Sequence, residues 1–171
     1  MLGKDYNVLN LGFAGYAVNR QSSKSYLNLP YSKILEQYAP KYVVVLLGTN
    51  DALSKNFTTE NDFAYAYKSL FNSINNLSCK PQIIALTSPM AYVNNEVCEF
   101  DFSHDNLEKI IKLQRTILDE YKIPYIDLHN ITQGKTSLYA DDMLHFNSKG
   151  AKFLAFKVFS AISDFEKKQI L

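Results

Sequence analysis

The sequence predicts an α/β fold, a three-layer α/β/α sandwich built on a parallel sheet. Three observations carry this. The chain has 171 residues, the size of one domain, so residues 1–171 are read as a single unit. Apolar runs of strand length alternate with segments of helical period, the pattern of crossover connections between parallel strands. One such run, Val43-Val44-Val45-Leu46-Leu47, shows no apolar/polar alternation, as expected of a strand covered on both faces.

In chain order, Tyr6 to Leu11 reads as a first strand, ended by Gly12 and Gly15. A short helix around Ser32 to Tyr38 links it to a second strand, Tyr42 to Leu47, which stops at Gly48. Phe63, Tyr67, Leu70, Phe71, Ile74 and Leu77 repeat with helical spacing behind Thr58 and Thr59 as caps. Gln82 to Thr87, after Pro81, is a third strand, and Ile123 to Leu128 a fourth. Between them Leu107, Ile110, Ile111, Leu118 and Tyr121 form a second stripe, and Ala151, Leu154, Ala155, Val158, Ile162 and Phe165 a third.

Composition excludes several classes of function. With 47% hydrophobic and 20% charged residues the chain is too apolar for disorder. Its 18 basic and 17 acidic side chains balance to +1, so nucleic acid is not an expected partner. No run approaches the length of a membrane span, and the opening residues lack the apolar core of a signal peptide. Cys79 and Cys98 lack redox or zinc spacing and read as packing residues, with one bridge between them left open. His104 and His129 have no neighbours at metal-ligand spacing, so no metal or other cofactor is implied.

Ligand sites in such folds lie outside the carboxyl ends of the strands. Three segments belong there: Gly12-Phe13-Ala14-Gly15, Gly48-Thr49-Asn50-Asp51 and Asp141-Asp142-Met143-Leu144-His145. Asp142 and His145 lie three apart, so a turn can aim both at one edge, and a carboxylate that holds an imidazole equips it as a general base. On spacing alone a solvated Asp with a His packed under a helix is the commoner outcome of such a pair, and Asp141 competes as the partner. Asn50 and the backbone N–H of Gly15 are candidate donors to an oxyanion, although Gly and Asn are also ordinary turn residues.

Taken together, Asn10-Leu11-Gly12-Phe13-Ala14-Gly15, Leu47-Gly48-Thr49-Asn50-Asp51 and Asp142-Met143-Leu144-His145-Phe146-Asn147 resemble the SGNH/GDSL hydrolase family over nearly the whole chain. The resemblance implies a flavodoxin-like sheet and hydrolysis of esters and thioesters, often O-acetyl groups on carbohydrates, through an acyl-enzyme and without a metal. It implies that Gly15 and Asn50 form the oxyanion hole, that His145 is the base, and that Asp142 orients it. The partner is then a small-molecule or carbohydrate acyl ester.

One part of the family pattern is absent. The family's nucleophile is a serine in a Gly-Asp-Ser segment after an additional strand, and none of the six glycines here is followed by Asp. The nucleophile is therefore unknown. Ser22, Ser23 and Ser25 read as surface loop residues, and Ser88 as a structural turn before Pro89. The first strand of the family fold is missing too, from between Tyr6–Leu11 and Tyr42–Leu47, so the domain is expected to be N-terminally incomplete and impaired. Leu2-Gly3-Lys4-Asp5 suits the end of a helix. A vacant ladder invites rearrangement, a recruited strand or self-association. Two other readings stand beside the hydrolase: a noncatalytic binding or assembly module, for which 12 Tyr and 11 Phe supply aromatic surface, and an O-acyltransferase.

Overall fold

The computed structural model describes residue 3, residues 6–94 and residues 101–168. The expectations for Leu2, Lys4, Asp5 and a Cys79–Cys98 bridge fall on residues outside this set. Helix α1 spans Tyr31–Tyr38, strand β1 Tyr42–Leu46, helix α2 Glu60–Asn75, strand β2 Gln82–Leu86 and helix α3 His104–Glu120. Strand β3 is Tyr125–Ile126, helix α4 Leu128–Thr132 and helix α5 Ser148–Lys168. Single 3₁₀ turns occupy Tyr26–Asn28, Thr49–Ala52 and Thr136–Leu138.

The helices start where side chains satisfy their first amides. Thr59 accepts the amide of Asp62 at α2, and Ser103 that of Asn106 at α3, each at 3.1 Å. Helix α1 ends at Ala39, which takes a left-handed conformation just before Pro40. The described strands form a parallel sheet in the order β1-β2-β3, with Val43 opposite Ile83, Val45 opposite Ala85, and Ala85 opposite Tyr125.

Alternation along the strands divides the core into two layers. Val45, Ile83 and Ala85 join a buried cluster with Leu35 of α1, Phe63, Tyr67, Leu70 and Ile74 of α2, and Ile110 and Ile117 of α3. The opposite face carries Tyr42, Val44, Ile84 and Leu86, and α5 lies over part of it, with Phe165 tilted against Tyr42 at 6.4 Å between ring centroids and Ile162 buried. Helices therefore lie on both sides of the sheet, as predicted. Among the described residues no helix is long and apolar enough to cross a membrane.

Two expectations fail for one physical reason. Tyr6–Leu11 is irregular, not a strand, with Val8 81% and Leu9 47% exposed. The Val43–Leu47 block is not covered on both faces either, since Val44 stays 42% exposed. A strand forms only against a hydrogen-bonding neighbour, and a groove of about 1090 Å³ lies between these two segments, lined by residues 6–12 on one side and 40–47 on the other. The expected strand at Ile123–Leu128 shrinks to Tyr125–Ile126 because Asp127 accepts the amide of Asn130 and starts α4.

Candidate active site

The turn that follows β1 begins at Gly48, whose φ of 125° is closed to side-chain-bearing residues. A Cβ there would lie 2.5 Å from Gln114 Nε2 and 2.8 Å from Ser88 Oγ. Gln114 is fully buried and joins two strand ends: its Nε2 donates to Leu47 O at 2.7 Å, and its Oε1 accepts from Ser88 N at 2.9 Å. Its place on α3, four residues after Ile110 and four before Leu118, puts a polar side chain in an apolar stripe. A polar residue inside an apolar stripe is the sequence signal that marks it.

Behind Gly48, the 3₁₀ turn Thr49–Ala52 presents Asn50 and buries Asp51. Asn50 Nδ2 donates to Tyr16 O at 3.0 Å, which ties it to the turn holding Gly15, where φ is 78°. Asp51 reinforces the connection by accepting the amides of Val18 and Asn19 at 2.9 and 2.8 Å. Burial pushes its carboxyl up to about 6, against the pull of those amides. Asn19 Nδ2 donates to Asn56 O, Asn56 Nδ2 to Asn50 O, and Ser22 Oγ to Asn56 Oδ1. The turns carrying Gly15 and Asn50 are thus one bonded unit. Asn19, Asn56 and the anchoring role of Asp51 were not legible in the sequence because loop residues that bond across sequence gaps leave no periodic trace.

This unit corrects the reading of two serines. Ser22 and Ser25 are buried, not surface residues, and Ser22 Oγ is committed to Asn56. Ser88 is buried just past the end of β2.

Asp142 and His145 meet as the spacing suggested. Asp142 Oδ2 lies 2.7 Å from His145 Nδ1, while Oδ1 accepts the amides of Leu144 and His145 at 3.0 and 2.9 Å. Met143 permits the tight turn by adopting a left-handed φ of 56°, and its carbonyl accepts the amide of Tyr92. Asn147 anchors the other end: its Oδ1 accepts the amides of Lys149 and Gly150 at the start of α5, and its Nδ2 donates to Tyr139 O and Ser137 O. Burial raises the Asp142 carboxyl, but the two amides and the imidazole outweigh it and hold it below the usual carboxylate range. Of the two candidate carboxylates, it is that of Asp142 that holds the imidazole.

The architecture and this pairing can be set beside known proteins. A family model described as GDSL-like Lipase/Acylhydrolase family matches residues 1–153. The chain belongs to that family. It is 24% identical over 186 residues to an acetylxylan esterase from Xylanibacter ruminicola, an alignment covering 95% of this chain and 37% of that protein. The chain thus spans little more than a third of that relative. Est24, a carbohydrate acetylesterase from Sinorhizobium meliloti, superposes with a TM-score of 0.73 at 17% identity, covering 95% of this chain and 80% of that one. A carbohydrate esterase family 3 protein from Talaromyces cellulolyticus superposes with a TM-score of 0.68 at 16% identity, covering 90% and 70%. The parallel sheet with helices on both sides is the α/β/α arrangement of the GDSL family and of these solved relatives.

Proposed function

We propose that this GDSL protein acts on small acyl esters, O-acetyl groups on carbohydrates among them, with His145 as general base, Asp142 as its orienting acid, and Gly15 and Asn50 as oxyanion donors. The observation that carries the proposal is the 2.7 Å contact between Asp142 Oδ2 and His145 Nδ1. With Nδ1 engaged by the carboxylate, Nε2 is the proton acceptor. In the reaction a hydroxyl oxygen adds to the ester carbonyl and gives its proton to His145. The Gly15 N–H and the Asn50 amide stabilise the oxyanion. The intermediate then expels the alcohol, which takes the proton from the imidazolium, and water repeats the sequence to free the acid.

The chain's own sequence contains no Gly-Asp-Ser segment, so by itself it is impaired: a base and oxyanion donors without the nucleophile. That absence also supports a second reading, a binding module that retains the crevice.

The test compares hydrolysis of p-nitrophenyl acetate by this chain and by the same chain extended at its N-terminus with a strand ending in Gly-Asp-Ser. The extended protein is expected to be faster by roughly 10³-fold or more, and His145→Ala within it to remove that gain. An inert extended protein overturns the hydrolase reading. Saturable ester binding without turnover then establishes the binding module.

A further inference from the structure

The loop that carries the Gly15 turn holds positive charge without a counter-charge of its own. From residue 6 to residue 35 the sequence contains Arg20, Lys24 and Lys33 and no Asp or Glu, in a chain whose 18 basic and 17 acidic side chains nearly cancel. Arg20 lies over the Tyr65 ring, 5.9 Å from its centroid. Lys24 turns toward Gly15 instead: its Nζ is 3.6 Å and its Cδ 3.7 Å from where a Cβ on Gly15 would sit. A Cβ is only two bonds from its own backbone nitrogen, so the ammonium lies within about 6 Å of the Gly15 amide. The backbone of Lys24 belongs to the bonded unit that holds Asn50, its amide donating to Ser22 Oγ at 3.2 Å and its carbonyl accepting from Ala17 N at 2.9 Å. Among the described residues no carboxylate pairs with its Nζ. Asp51 and Asp142 do not supply one: the first holds the amides of Val18 and Asn19, and the second holds His145 and two amides.

We propose that Lys24 makes this site select acyl esters bearing a carboxylate a few bonds from the ester carbonyl, on the acyl chain or on a sugar ring. The proposal rests on the reading of Gly15 as an oxyanion donor, because an ester oxygen bonded to that N–H brings the rest of the substrate past the ammonium. A lysine suits the task. Its ammonium is a point charge with three donors on a flexible stem, so it attracts a carboxylate from several directions without requiring one geometry. The substrate then supplies the counter-charge that the loop lacks. Lys24 is exposed, and this sets the size of the effect. Exposed ion pairs are weak and screened, so the charge should favour an anionic ester by about three- to fivefold, and salt should erase the preference.

The test measures ester binding to the chain itself, by NMR titration of the Gly15 amide, and so needs no nucleophile. Two matched pairs serve as probes: monomethyl succinate against methyl butyrate, and the 3-O-acetyl ester of methyl glucuronoside against that of methyl glucoside. In at least one pair the anionic ester is expected to have a Kd about three- to fivefold lower, and the pair that shows it tells whether the carboxylate belongs to the acyl chain or to the sugar. Lys24→Gln should abolish the preference, Lys24→Glu should invert it, and about 0.5 M salt should remove it. Lys33→Gln, which deletes a charge elsewhere in the same acid-free stretch, should retain it. The proposal is overturned if neither pair shows a preference, if the preference survives Lys24→Gln, or if Lys33→Gln abolishes it equally. It is also overturned if Lys24→Gln weakens neutral and anionic esters alike, or if no ester perturbs the Gly15 amide. Failure of the hydrolase reading is seen separately, as an extended protein inert toward p-nitrophenyl acetate, and leaves the binding comparison intact.

Discussion

Gln114 occupies the space that any side chain on Gly48 would need, with Nε2 2.5 Å from the position of a Cβ. The two residues form one joint at which β1, β2 and α3 meet. Gly48→Ala is expected to cost about 2–4 kcal/mol from left-handed strain and overpacking. Gln114→Ala is expected to cost a similar amount, about 2–4 kcal/mol, by leaving the Leu47 carbonyl and Ser88 amide unsatisfied. Because Gln114→Ala also makes room for the alanine, the double variant should lose about 1 kcal/mol less than the sum. Urea denaturation of the four proteins checks this; strict additivity refutes the joint.

Asp51 makes stability depend on pH in a direction opposite to most carboxylates. Its folded pKa, about 6, lies above the ordinary value of 3.8, so the folded state retains the proton longer than the unfolded one. Its contribution is most favourable below about 4, declines as pH rises to about 6, and is flat above. The Tm of the wild type minus that of Asp51→Asn should therefore fall across this window. Thermal melts between pH 4 and 8 measure it, and a difference that rises or stays constant contradicts the burial of a proton at Asp51.

Asp142 behaves conventionally. Its folded pKa is depressed, so its stabilisation is present above the unfolded value and disappears as pH falls through the folded one. Asp142→Ala should lose about 1–2 kcal/mol at pH 7, the worth of its two amide bonds, with a smaller loss near pH 3. Equal losses at both pH values would show that the ionised carboxylate is not what holds the turn.

Asn50→Ala in the extended protein carrying Gly-Asp-Ser should lower kcat for p-nitrophenyl acetate by roughly 10²–10³ with little change in KM. A change confined to KM would assign Asn50 to substrate binding instead of oxyanion stabilisation.

The helices were legible in the sequence because their information is local and repeated. The Phe63–Leu77 and Leu107–Tyr121 stripes, with Thr59 at a cap, specify a period and a start. Tyr6–Leu11 shows where that logic ends: its residues favour a strand, but a strand exists only with a neighbour, and a groove lies where the neighbour belongs. At the site, Asp142 and His145 could be paired from their spacing because a three-residue turn keeps them close. Asp51 and its partners Val18 and Asn19 are more than thirty positions apart, and nothing local marks their encounter.

The bonds that join Asn19, Ser22, Asn50 and Asn56 are directional and mutually dependent, so the loop from Tyr16 to Tyr26 is not an exchangeable accessory. A chimera that imports this loop from a relative inherits working geometry only when Asp51 and Asn56 travel with it.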